Sequence, residues 1–178
     1  MGSTFLSLHY HIVFSTKDRS PFLRDTWRVK LHEYLGGTVR GLGGIPEAIG
    51  GVADHVHLLV GLRATHCLAD FMQEMKKATS VWAKDNYEPS FGRLDGYAAF
   101  TVSYTHIDSV KEYIRTQEEH HRQTDFIEEL KRLLQKNGVG FWHSSGVREI
   151  CVSGYRAYRR CAPRPAANFW RPSGLRRT

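Results

Sequence analysis

His55 and His57 stand one residue apart in Asp54-His55-Val56-His57-Leu58-Leu59-Val60. In an extended strand alternate side chains share a face, so both imidazoles project the same way, from Cα atoms about 7 Å apart. Two ring nitrogens at that spacing can chelate one divalent ion. The plainer outcome is two histidines on an exposed strand face with no ligand. Chelation is favoured because the pair interrupts the most apolar strand of the chain, where polar groups need a partner. Val56, Leu58 and Val60 then take the opposite, core side. By the same parity Asp54 points away from the pair and is a poor direct ligand.

A second group lies in Tyr113-Ile114-Arg115-Thr116-Gln117-Glu118-Glu119-His120-His121. Tyr113, Gln117 and His121 recur every four residues and lie one above another on a helix face. Val110 and Ile114, one step round, face the core. Two imidazoles and one amide oxygen leave coordination positions open on an ion, which can polarise a phosphodiester as a Lewis acid. A phenol, with a reference pKa of about 10, attacks phosphorus if its surroundings help it ionise. His9 and His11 share a face of the first strand. His11 could be a third ligand, a partner behind the ligands, or a cross-strand neighbour of His57. The last two are preferred, since Gln117 already completes a ligand set. Lys17, Arg19, Arg63, Lys76 and Lys77 occupy loops and exposed helix positions. Each can be a solvated charge, and together they could contact phosphates along a groove beside the histidines.

The elements that must position these groups follow from periodicity. Residues 5–14 form a strand and residues 24–40 a helix. Strands over 45–50 and 52–62 flank Gly50-Gly51, a hairpin signal. A helix over 67–84, a polar loop over 85–95 and a strand over 97–104 come next. Helices over 108–121 and 125–136 follow, with Asp108 and Asp125 as N-caps. The order β-α-β-β-α-β predicts an α+β fold of the ferredoxin-like or RRM-like split βαβ type. Its antiparallel sheet carries helices on one face, leaves the other free for ligands, and is followed by C-terminal helices.

The chain has 178 residues and a formal net charge of +7. All of the excess lies in residues 150–178, which hold seven arginines and neither an acid nor a lysine. The preceding 149 residues balance 18 basic against 18 acidic side chains, so bulk charge is no argument that the folded part binds a polyanion. The expected division is a folded domain over 1–140 and an Arg-rich, loosely docked or disordered tail over 141–178. No run of 18 apolar residues exists, and the N-terminus does not read as a signal peptide. No membrane partner is expected. Cys67, Cys151 and Cys161 read as reduced thiols of a cytoplasmic protein. A P-loop is absent, so no nucleotide cofactor is expected.

The segments YHIVFSTKDRSPFL (10–23), GGVADHVHLLVGL (50–62), GYAAFTVS (96–103) and YIRTQEEHHR (113–122) resemble the single-tyrosine HUH transposases of bacterial insertion sequences. These form the IS200-like superfamily, with its REP-associated tyrosine transposase branch. The resemblance runs over roughly residues 5–140, and it is specific because DHVH and YIxxQxxHH occur together in the expected order. It implies that His55 and His57 with Gln117 hold Mg²⁺ or Mn²⁺ and that Tyr113 is the nucleophile. His11 and His121 are expected behind the ligands. It further implies a homodimer acting on single-stranded DNA, often a hairpin at an element end, through a 5′-phosphotyrosine intermediate. A bacterial, cytoplasmic setting goes with it. Members usually end soon after the last helix, so residues from about 141 are expected not to be ancestral family sequence. The alternatives are a regulator that binds single strands on the same fold without chemistry, and a phosphodiesterase using water as nucleophile.

Overall fold

The computed structural model describes residues 5–92, 96–122 and 125–140. Four strands, β1 (His9–Ser15), β2 (Ile45–Gly51), β3 (His55–Gly61) and β4 (Ala98–Val102), form one antiparallel sheet in the order β2-β3-β1-β4. Helices α1 (Asp25–Gly41) and α2 (Leu68–Asn86) interleave with the strands, giving the split βαβ order and an α+β fold. Helices α3 (Ile107–Arg115), α4 (Gln117–His120) and α5 (Phe126–Lys136) follow.

One core forms where α1 and α2 cover the first sheet face. Ile12, Phe14, Val56, Leu58 and Val60 meet Leu31, Leu35 and Val39 of α1 and Phe71, Met72 and Met75 of α2. Alternation then sends His11, His55, His57 and Leu59 to the second face. That face, expected to be open, is covered. Leu59 packs with Ile107 and Ile114 of α3, and Phe126 of α5 stacks on His55 at 4.4 Å. The C-terminal helices are amphipathic, and the apolar second sheet face gives their stripes somewhere to bury. Every residue of β3 is therefore buried.

Several boundaries differ from expectation for physical reasons. The first strand starts at His9 rather than residue 5. Gly50 and Gly51 belong to β2 and are not the hairpin turn, which lies over Val52–Asp54 and is closed by Val52 N–H donating to His55 O at 3.1 Å. The glycine at 50 serves a close approach instead: a Cβ there would sit 2.4 Å from Ile114 O of α3. The single helix expected over 108–121 breaks at Thr116, whose φ and ψ are −93° and 14°. The Thr116 hydroxyl donates back to Glu112 O at 3.0 Å, an arrangement that bends helices. Asp108 falls in the first turn of α3 rather than at its cap, while Asp125 does occupy the N-cap position of α5. Cys151, Cys161 and the whole tail over 141–178 lie outside the described residues.

Candidate active site

β3 presents His55 and His57 to the second layer at 0% exposure, with ring centroids 5.0 Å apart. His55 Nδ1 lies 2.7 Å from Asp54 Oδ1. Burial alone would raise the Asp54 carboxyl, but the hydrogen bond and charge of His55 hold it below the usual range. An ionised carboxylate only accepts, so His55 Nδ1 carries a proton, and the neutral form of the ring presents its lone pair at Nε2. Strand parity misplaced Asp54, because it belongs to the turn before β3 and is not bound by the strand's alternation. His11 Nε2 lies 3.0 Å from His57 Nδ1 across the β1–β3 pair. With His11 as acceptor, His57 likewise keeps its Nε2 lone pair. Burial pushes the His57 imidazole down, and burial together with His57 lowers His11 to about 3, so both rings stay neutral.

Helix α3 sets Tyr113 above this pair. Its ring lies edge-on to His57 at 5.8 Å and to His11 at 6.0 Å. Burial, followed by the Glu129 carboxylate that accepts from its hydroxyl, raises the phenol well above its ordinary value. Gln117, 1% exposed at the start of α4, donates from Nε2 to Tyr113 O at 3.3 Å and to Glu129 Oε1 at 3.2 Å. His121 Nε2 lies 2.8 Å from Glu129 Oε2, and its ring sits 4.4 Å from that of His55.

Three buried acceptor-capable atoms in this cluster lack a hydrogen-bond partner: His55 Nε2, His57 Nε2 and Gln117 Oε1. Orphaned buried polar atoms are costly and ask for a ligand. The ligand atoms of His55, His57, His121 and Glu129 all lie within 4.8 Å of one another, a grouping that could hold a divalent ion. The donor set fits such an ion on both counts.

Glu129 is absent from the sequence reading. Its helix carries an apolar stripe at Phe126, Leu130, Leu133 and Leu134, and a glutamate one helical step from Phe126 is out of place on it. That conflict was the available signal. Of the basic residues, Lys17 and Arg19 leave β1 at the end that pairs Ser15 with His55. Lys76 Nζ donates to Gly96 O at 3.1 Å, and Lys77 is its exposed neighbour on α2. Arg63 follows the opposite end of β3, so the five do not line one groove. An open cleft of about 690 Å³, bounded by Phe100, Tyr113, Glu129, Arg132 and Lys136, leads from solvent to the tyrosine.

The family model described as "Transposase IS200 like" matches residues 4–117, nearly two thirds of the chain. The chain belongs to the IS200-like transposase family. The match includes His55, His57, Tyr113 and Gln117 and stops before His121 and Glu129. Among solved structures, this IS200-like transposase is similar to a protein assigned as a transposase from Deinococcus radiodurans R1. That likeness has 26% identity and a TM-score of 0.52, over 66% of this chain and 96% of that one. A REP-associated tyrosine transposase, solved bound to a REP hairpin, shares the fold at 14% identity and a TM-score of 0.52, over 85% of this chain and 98% of that one. No curated protein sequence matches.

Proposed function

We propose that this transposase cleaves and rejoins single-stranded DNA with Tyr113 as nucleophile, and with His55, His57 and Gln117 holding Mg²⁺ or Mn²⁺. The observation that carries the reading is the Tyr113 ring set edge-on over His57, beside three orphaned ligand atoms. Membership of a transposase family supports it, as does a relative of the same fold that was solved on a REP hairpin. When bound, the ion polarises a phosphodiester oxygen as a Lewis acid.

The chain's own residues do the rest. Asp54 and His11 fix the imidazoles with Nε2 presented, and β3 holds both at one height. The Tyr113 oxygen attacks phosphorus; its bond to phosphorus forms as the bond to the 3′ oxygen breaks. The phenol loses its proton and the leaving 3′ oxygen gains one. A 5′-phosphotyrosine and a free 3′-hydroxyl result, and the hydroxyl of another end reverses the exchange. One phosphoester replaces another throughout, so no nucleotide is consumed. The strand enters along the cleft by Phe100 and Arg132, with Lys17 and Arg19 near its phosphates at the His55 end. Arg63, Lys76 and Lys77 contribute contacts outside that path. One tyrosine per chain and two ends to process make a homodimer the working unit.

A single-stranded oligonucleotide taken from the DNA beside the gene, spanning any palindrome found there, tests the reading. Cleavage requires Mg²⁺ or Mn²⁺, fails with the duplex form, and is lost in His57→Ala. Equal cleavage in the presence of a chelator would reject it.

A further inference from the structure

Glu129 is the one buried acid among the described residues, 2% exposed, and it comes from α5, beyond the segment that matches the family. Its two oxygens face different groups. Oε1 accepts from the Tyr113 hydroxyl and from Gln117 Nε2, and lies 3.5 Å from His57 Nε2. Oε2 is 2.8 Å from His121 Nε2 and 3.6 Å from His55 Nε2. Asp54 holds a proton at His55 Nδ1, so in the neutral ring the Nε2 lone pair confronts the Glu129 carboxylate at 3.6 Å, too far for a hydrogen bond. A buried anion set against a buried lone pair is unfavourable unless a cation lies between them. Two neutral imidazoles and a neutral amide would also leave both charges of a divalent ion uncompensated in a buried site. Carboxylate oxygen is the hard donor that Mg²⁺ and Mn²⁺ prefer.

We propose that Glu129 joins the metal site to the nucleophile: Oε2 is an anionic ligand of the ion, and Oε1 holds the Tyr113 hydroxyl in place. The inference rests on the metal-dependent reading above and adds α5 to the working parts of the site. His121, bonded to Oε2, aims the carboxylate. Phe126, stacked on His55, fixes the helix that carries it.

The test is Mn²⁺ binding to the full-length protein, followed by electron paramagnetic resonance, which needs no DNA and no turnover. Glu129→Gln keeps the shape and removes the charge, and it weakens Mn²⁺ binding by about tenfold or more. Tyr113→Phe frees Oε1 and shifts Mn²⁺ affinity in the parent protein, but not when combined with Glu129→Gln. Glu129→Asp withdraws both oxygens by one methylene and gives an intermediate loss, which decides the matter if Glu129→Gln does not fold. Affinity for Mn²⁺ within about twofold of the parent in both Glu129 variants would overturn the inference, as would an equal Tyr113→Phe shift in both backgrounds. If the parent protein binds no Mn²⁺, the metal-dependent reading itself fails. If the parent binds and the Glu129 variants bind equally, only the role of Glu129 fails.

Discussion

Asp54 and His11 bond the ring nitrogens of His55 and His57 that face away from the proposed ion, and so set which nitrogen each ring presents. Asp54→Ala removes the acceptor 2.7 Å from His55 Nδ1 and lets the ring exchange its proton between nitrogens. Mn²⁺ affinity should fall about tenfold with the fold intact, as titration of the variant would show. His55, His57, Tyr113 and Gln117 were legible in the sequence because short motifs place them at strand and helix spacing. Asp54 was misplaced because parity holds only within a strand and this residue is in a turn. Glu129 was missed because it lies 12 residues past Gln117, in a different helix. No local spacing links the two, and only the docking of α5 on the sheet brings them together.

At the scale of elements, the site depends on how closely α3 and α4 approach the sheet. Gly50 permits that approach, with Ile114 O where a Cβ would stand. Gly50→Ala should destabilise the protein by about 1–3 kcal/mol, measured by urea unfolding, and reduce cleavage by displacing Tyr113. The order of elements and the stripes of α1 and α2 were legible because each buries one periodic face. The hairpin turn was not, since Gly-Gly signals both a turn and a close contact. Helix α1 also predicts an acid sensitivity. Burial first, and the Arg28 charge second, lower the His32 imidazole to about 4, against the opposing charge of Glu118. In the unfolded chain His32 takes up its proton near 6.5, while in the folded chain it resists until about 4. The unfolded state therefore binds more protons in that window, and stability falls as pH drops through it. His32→Phe should narrow the stability difference between about pH 7 and about pH 5, as denaturant melts at the two pH values would measure.

Across the whole molecule, the +7 charge describes residues 150–178 more than the 149 residues before them. Replacing the seven arginines of 150–178 with glutamine should leave the cleavage site on DNA unchanged. It should also flatten the dependence of binding on salt, by about 0.7 in the log–log slope for each lost phosphate contact. Among the described residues, no helix is long and apolar enough to cross a membrane. The single sheet, covered on both faces, separates two tasks. One face, with Leu58 and Met75, supplies the core, and the other, with His57 and Tyr113, carries the candidate site.

In the proposed reaction Tyr113 becomes covalently joined to DNA. The direct measurement is a denaturing gel of the protein incubated with Mn²⁺ and a 3′-labelled single strand that spans a palindrome found beside the gene. A labelled band at protein mass plus DNA should appear with the parent chain and vanish with Tyr113→Phe, which still binds the strand in a native gel. An adduct that persists in Tyr113→Phe, or cleavage by the parent chain with no adduct at any time point, would rule out Tyr113 as the nucleophile.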